Sequence, residues 1–281
     1  MRLYSVRAAR VKRAMMVGVL YVILAAALLF QVRFVILGDR SGEPRAGVYE
    51  QVWREAAAHE PAFAVSVGDT IQGQRDTAAA AEWQQVMRIV APYRRFPLYL
   101  APGNHDIWSP RSQELFRKYS GHEPHYSFDH GPAHFTVLDN SRSDELPAGE
   151  LAYLENDLKA HRERPVKFIV SHRPSWLVDV LFRNSNSALH ALVRRYGVRH
   201  VIAGHVHQML RFELDGVEYV SVPSAGGHLR GSRKYKDGWF FGYTVVEVRG
   251  ADVRFEIHEL KAPHGQGRVT GLADWGAAGL K

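Results

Sequence analysis

Residues 35–42 read VILGDRSG. An apolar run that begins at Val32 stops at Gly38 and delivers a carboxylate, Asp39, into a polar loop. A buried strand ending this way sets its acid at the carboxyl edge of a sheet, where α/β proteins gather their ligands. Four more expected strands end alike. Phe63–Val67 leads to Gly68-Asp69, and Leu98–Leu100 leads to Pro102-Gly103-Asn104-His105-Asp106. Lys167–Val170 leads to Ser171-His172, and Val198–Ala203 to Gly204-His205-Val206-His207. Glycine precedes the polar tip in all but one of these, which permits a sharp turn and a close backbone approach.

Helical patterns alternate with those strands at Val48–His59, Thr77–Val90, Arg111–Tyr119, Leu151–His161 and Ala188–Tyr196. A hairpin is expected around Asp129-His130-Gly131, from Tyr126–Phe128 to His134–Leu138. Past His207 the chain is strand-rich: Met209–Leu214, Val217–Val222, Phe240–Val248 and Val253–Ile257, with Asp215-Gly216 as a hairpin turn. Alternation followed by a run of strands predicts an α/β fold with two face-to-face β-sheets flanked by helices, a four-layer α/β/β/α sandwich. The domain is expected over 32–260, with 261–281 as a loose, Gly-rich C-terminal tail.

The 281 residues include no cysteine, which excludes disulfides, thiolate metal sites and a Cys nucleophile. The formal charge is +7, but Arg2, Arg7, Arg10, Lys12 and Arg13 precede the first acid. No basic face is expected beyond them, and no nucleic acid as partner. Residues 14–30, AMMVGVLYVILAAALLF, carry no charge. At helical rise they span about 25 Å, the lower end of a bilayer core. Residues 1–31 therefore read as a basic tail plus a transmembrane helix or signal segment, with everything after it on the outer side of the cell membrane. Cleavage after Ala27 would release a secreted protein but leave few residues before the strand at Val32, which favours an uncleaved signal-anchor.

The polar tips supply Asp, Asp, Asn, His, His and His. Oxygen and imidazole donors without sulfur suit Zn, Mn or Fe. One Gly-Asp turn is ordinary; five tips in order are not. The chain resembles the calcineurin-like metallophosphoesterases, whose ordered motifs are D-x-H, G-D, G-N-H-D/E, a lone His and G-H-x-H. Here they read Asp39-Arg40-Ser41, Gly68-Asp69, Gly103-Asn104-His105-Asp106, His172 and Gly204-His205-Val206-His207, and the resemblance covers roughly residues 32 to 250. It implies hydrolysis of a phosphomonoester or phosphodiester with two divalent or trivalent metal ions, Mn, Zn or Fe. It implies that Asp69 bridges them, that Asp39 and His207 hold the first, and that Asn104, His172 and His205 hold the second. A bridging hydroxide would be the nucleophile. His105 would give a proton to the leaving group, with Asp106 orienting it.

The departure is Ser41, where the family usually has a metal-binding His. A Ser hydroxyl is a poor ligand, so the first site is expected to be the weaker one. The purple acid phosphatases, with the same deficit, use a Tyr three residues after the second Asp; that position is Gln72 here. Gln72 or water would fill the gap, and Ser41 would otherwise cap a turn. Arg40, Arg173 and His228 are candidates for substrate contact, each with a solvated surface role as the bland alternative. Trp108 reads as a cleft wall or as core, and His59, His161 and His200 as surface or helix-end groups. The short joint between residue 30 and the first strand raises a lipid-linked phosphate as a substrate beside soluble esters. The competing functional reading is a metal-binding scaffold or receptor of the same fold that has lost efficient catalysis.

Overall fold

The computed structural model describes residues 31–281, so the tail and the transmembrane or signal segment expected before them lie outside the described residues. Among the described residues no helix is long and apolar enough to cross a membrane. Strand β1 (Gln31–Leu37) pairs with β2 (Ala64–Ser66) in parallel, Val35 facing Ala64, and with β10 (Gly242–Arg249) antiparallel. With β3 (Leu98–Leu100), β11 (Asp252–Glu259) and β12 (Val269–Gly271) they form a sheet in the order β12-β11-β10-β1-β2-β3. A second six-stranded sheet runs β4-β5-β6-β7-β9-β8. Its strands are β4 (Tyr126–His130), β5 (Ala133–Val137), β6 (Val166–Val170), β7 (His200–Ala203), β8 (Leu210–Leu214) and β9 (Val217–Ser221). Strand β6 is buried along its whole length, as a central parallel strand must be. Its one charged residue, Lys167, is tolerated because its ammonium donates to the carbonyls of Arg162 (3.0 Å) and Arg164 (2.7 Å).

Aromatic residues from both sheets meet between them. Phe34 of the first sheet stacks on Phe63 at 5.0 Å and meets Phe135 and Phe168 of the second edge-on at 5.1 and 5.4 Å. Edge-to-face contacts of this kind add roughly 0.5–1.5 kcal/mol per pair beyond the buried area. Helices α1 (Val48–Ala57), α2 (Asp76–Val90) and α3 (Pro110–Ser120) cover the outer face of the first sheet through Val52, Trp53, Trp83 and Phe116. Helices α4 (Ala148–Ala160) and α6 (Ala188–Arg195) cover the second through Leu154, Leu158 and Val193. The two sheets flanked by helices match the four layers read from the sequence.

Three details differ from the sequence reading. The segment after residue 260 is not loose: β12 extends the first sheet and a small hairpin, β13 (Trp275–Gly276) with β14 (Gly279–Leu280), follows it. Trp275 is fully buried and its indole N–H donates to Thr270 Oγ1 at 2.8 Å, which outweighs the glycine content. A five-residue helix, α5 (Leu177–Leu181), occupies what reads as loop. His200 is buried between Phe168 and Phe255 rather than at the surface, and burial pushes its pKa down to about 4.

Candidate metal centre

The carboxyl ends of β1, β2 and β3 in one sheet and of β6 and β7 in the other open on the same edge of the sandwich. Asp39, Asp69, Asn104, His172, His205 and His207 meet there. One donor group comprises Asp39, Asp69 and His207 and another Asp69, His172 and His205, with the donor atoms of each within 4.8 Å of one another. Asp69 belongs to both. Asn104 joins the second, its Oδ1 3.0 Å from His172 Nε2. His205 Nδ1 lies 3.2 Å from the same Nε2.

Backbone geometry forces these tips together. Gly68 has φ 102°, and a Cβ there would stand 2.8 Å from the nitrogen of Gly103 and 2.9 Å from His172 Nδ1. A Cβ on Gly204 would collide with Asp39 Oδ1. The Asp39 carboxylate accepts the His205 N–H at 3.0 Å, and the Asp39 carbonyl accepts the N–H groups of Ala225 and Gly227 at 3.0 Å. The Asp69 carbonyl accepts from Arg40 (3.2 Å) and Ser41 (2.9 Å).

Tautomers are set by carbonyls. His172 Nδ1–H donates to the Val67 carbonyl at 3.0 Å and His207 Nδ1–H to the His228 carbonyl at 2.8 Å. Each imidazole then turns its Nε2 lone pair inward. His207 Nε2, 3.3 Å from Asp39 Oδ2, is buried without a hydrogen-bond partner, and so is Ser41 Oγ. Buried donor sets of this kind are satisfied by a cation. The electrostatics agree. Burial opposes charge on His172, yet Asp69 outweighs it and pushes the pKa up to about 9. Burial likewise opposes charge on His207, and Asp39 raises it. The carboxylates thus demand positive charge at this spot. His205 goes the other way, down to about 4, through burial and then its neighbours His172 and Arg173, which keeps it a neutral donor. The residues present fit metal ions.

His105 lies at the mouth, its backbone N–H on Asp69 Oδ1 at 2.9 Å. Its Nδ1 bonds the Gln72 carbonyl, not Asp106. The expected Asp106–His105 pairing is therefore corrected. Asp106 is fully buried and accepts the N–H groups of Thr70 (2.9 Å), Ile71 (3.2 Å) and Gly103 (3.0 Å), stapling the two loops together. Burial and then the Asp69 charge push its pKa up to about 7. The Gln72 side chain does not point at the donor groups either, because its Oε1 accepts from the N–H groups of Gly42 (3.1 Å) and Glu43 (3.3 Å).

Of the substrate candidates, Arg40 sits 5.7 Å from the Tyr49 ring and donates to the Thr70 carbonyl at 3.4 Å. His228 donates through Nδ1 to the Gly42 carbonyl at 2.8 Å and so ties its loop to the one bearing Ser41. Arg173 lies beside His205, paired with Asp144. Trp108 packs against the helix-side core.

The sequence reading passed over Asn140. It follows β5 as the ligand candidates follow their strands, which is the signal that could have found it. Its Oδ1 accepts from His172 (3.1 Å) and Arg173 (3.0 Å), and its Nδ2 donates to the Arg173 carbonyl (2.7 Å) and Ser175 Oγ (2.9 Å).

A two-sheet sandwich with Asp, Asn and His tips converging on one edge makes a candidate metal-binding site. The chain belongs to the calcineurin-like phosphoesterase family, whose model matches residues 32–209. It is 27% identical over 207 residues to the 3',5'-cyclic adenosine monophosphate phosphodiesterase CpdA of Escherichia coli (strain K12), covering 70% of this chain and 72% of that one. It is 30% identical over 136 residues to the 3',5'-cyclic-nucleotide phosphodiesterase alr5338 of Nostoc sp. (strain PCC 7120 / SAG 25.82 / UTEX 2576), covering 45% and 50%. Its fold is similar to that of purple acid phosphatase PPD1 from yellow lupin (Lupinus luteus) seeds, with a TM-score of 0.64, 16% identity and coverage of 86% and 53%. The protein is an enzyme, a hydrolase of phosphoesters.

Proposed function

We propose that this protein hydrolyses phosphodiesters, cyclic nucleotides among them, at a dinuclear metal centre. The observation that carries the reading is the pair of donor groups sharing Asp69. Asp39, Asp69 and His207 would hold one ion, and Asp69, Asn104, His172 and His205 the other. The ions supply Lewis-acid charge and an activated water to the phosphoryl group. The chain's own residues do the rest. His105, its Nδ1–H held by the Gln72 carbonyl, would give the Nε2 proton of its imidazolium form to the leaving oxygen. Asp106 keeps the Asp69 and Asn104 loops in register. The cyclic-nucleotide class is supported by the named activity of the bacterial relatives.

Ser41 makes the two sites unequal. Gln72 Oε1 is spent on backbone N–H groups, so solvent fills the position a family His would take, and the first ion binds more weakly. The apolar segment 14–30 supports attachment to the membrane with this domain outside. That arrangement favours a soluble ester over a lipid-linked one. Gln31 opens β1 and Asp39 follows its far end, so at about 3.3 Å per residue the candidate ligands lie roughly 25 Å from where that segment joins.

Protein stripped of metal and reloaded with Mn, Zn or Fe tests the reading on 3',5'-cyclic AMP, bis(p-nitrophenyl) phosphate and p-nitrophenyl phosphate. Two ions per chain are expected at saturation, and His105→Ala is expected to lower kcat by about 10²–10⁴. A folded protein that takes up no metal and hydrolyses none of the three overturns it.

A further inference from the structure

Large apolar side chains exposed among the described residues are Val178, Leu181, Phe182 and Val269. All but the last fall on α5 and the residue that follows it. Helix α5 is anchored from beneath by Trp176 and Val180, four residues apart and both in the core of the second sheet's helical layer. Its outward face should then be polar. Instead Val178 is 67% exposed and Phe182 77% exposed, a cost in water of the kind that marks a binding surface.

Of the exposed side chains on this segment, Val178 lines a pocket. A pocket of about 590 Å³ lies between α5 and the start of α6; Val178, Leu177 and Leu189 form its apolar wall, and Asp144, Glu145 and Asp179 also line it. Its other side is Arg173, His205 and Val206, the loops that follow β6 and β7. His205 is thus at once a wall of this pocket and a member of the donor group with Asp69 and His172. A phosphate held by that group has this recess beside it, into which an ester arm can extend. Arg173 stands at the junction, its side chain 19% exposed and held on Asp144, beside His205. Its guanidinium plane suits a planar, electron-rich group packed against it.

We propose that this pocket receives the organic arm of the substrate, a planar apolar group such as a purine base, and selects for diesters that carry one. The inference rests on the reading of the metal cluster as a phosphodiesterase site. Val178 is the diagnostic position, because so exposed a side chain contributes little to the fold. Covering a valine with a ligand is worth about a factor of ten in affinity.

Two measurements on the metal-loaded full chain test it. The first compares KM for 3',5'-cyclic AMP with KM for base-free 3',5'-cyclic ribose phosphate in wild type, Val178→Asp and Val178→Ile. Val178→Asp is expected to erode the preference for the base-bearing diester about tenfold through KM, with kcat on cyclic AMP within twofold, and Val178→Ile to restore it. Equal KM changes on both substrates, or none, overturn the pocket while leaving the phosphodiesterase reading intact. The second is binding of adenosine 5'-phosphate followed by calorimetry, which needs no turnover. About tenfold weaker binding by Val178→Asp supports the pocket even if neither diester is hydrolysed, the outcome that counts against the phosphodiesterase reading. Equal binding by wild type and Val178→Asp overturns the pocket.

Discussion

Truncating Asn140 to alanine should weaken the second metal site without touching a ligand. Asn140 is 1% exposed and uses both amide hydrogens and both lone pairs: two bonds received from His172 and Arg173 N–H groups, two given to the Arg173 carbonyl and Ser175. Asn140→Ala leaves the buried His172 N–H without its acceptor. Each buried group so orphaned costs about 1–3 kcal/mol, and water entering the small void recovers part of it. A net loss of about 2–4 kcal/mol follows, which in a chain this long lowers Tm by roughly 5–15 °C. The His172 backbone is also freed, and its imidazole must meet Asp69, Asn104 and His205 to within tenths of an ångström. Loss of such a support costs about 10–100-fold in metal affinity. Thermal melts in excess chelator report the first effect, and zinc titration of stripped protein the second. A variant with the lower Tm but unchanged zinc affinity refutes the claim that Asn140 positions His172. An unchanged Tm refutes the bonding itself.

Chelation of the wild-type protein should lower Tm, and returning metal at about 100 times its Kd should restore about 2.7 kcal/mol, read by calorimetry; Asp39→Asn should shrink that gain. Trp275→Ala should cost about 3–5 kcal/mol in denaturant melts, because the indole is fully buried against Tyr235 and Phe240 and its N–H is bonded; a loss below about 1 kcal/mol would make the tail the loose segment its composition suggests. A pH dependence should come from His134, buried between Asp129 (2.8 Å) and Asp157 (2.9 Å). Burial opposes its charge, but the two carboxylates prevail and raise it. Burial would raise Asp157, but its bonds from His134, Thr136 and Ser127 lower it. His134 therefore stabilises fully below about pH 6.5 and loses this as pH rises through its higher folded value, while Asp157 stabilises above about pH 4 and loses this as pH falls through its lower one. Melts should show the pair's contribution largest between about pH 4 and 6.5, and His134→Gln should remove the decline above that window.

The strands that carry the candidate ligands were legible because buried strands read as apolar runs, and each ends abruptly in a polar tip. Val35–Asp39 and Val198–His207 needed nothing more. What sequence could not show was direction. Asp106 adjoins His105 in the chain, which suggests a pair, yet its carboxylate turns back under Thr70, Ile71 and Gly103. Gln72 stands at a position suited to ligation, but the N–H groups of Gly42 and Glu43 claim its oxygen first. Asn140 was missed because it acts on a loop 32 residues away. The end of the chain misleads for the opposite reason: its glycine content is local and visible in the sequence, whereas the long-range burial of Trp275 is not. Helix α5 eluded periodicity because five residues are too few to show it and its exposed face is as apolar as its buried one.

The backbone at the cluster explains why such a site is rigid rather than merely assembled. Asp69, His205 and His207 hold φ values of 56°, 67° and 61°, the left-handed region that costs a non-glycine residue about 1–3 kcal/mol. Three strained residues within one constellation would relax unless held. They are held by neighbours that cannot yield: Asp39 grips the His205 N–H, the His228 carbonyl grips His207, and Gly68 and Gly103 pack backbone against backbone beneath Asp69. No Lys or Arg among the described residues forms an ion pair with Asp39 or Asp69; their ion-pair partners are the imidazoles of His207 and His172. Strain and negative charge in the same few residues lower stability, and the raised pKa values of His172 and His207 offset only part of the charge. A bound cation would offset more of it, which is why chelation is expected to lower Tm without unfolding the chain.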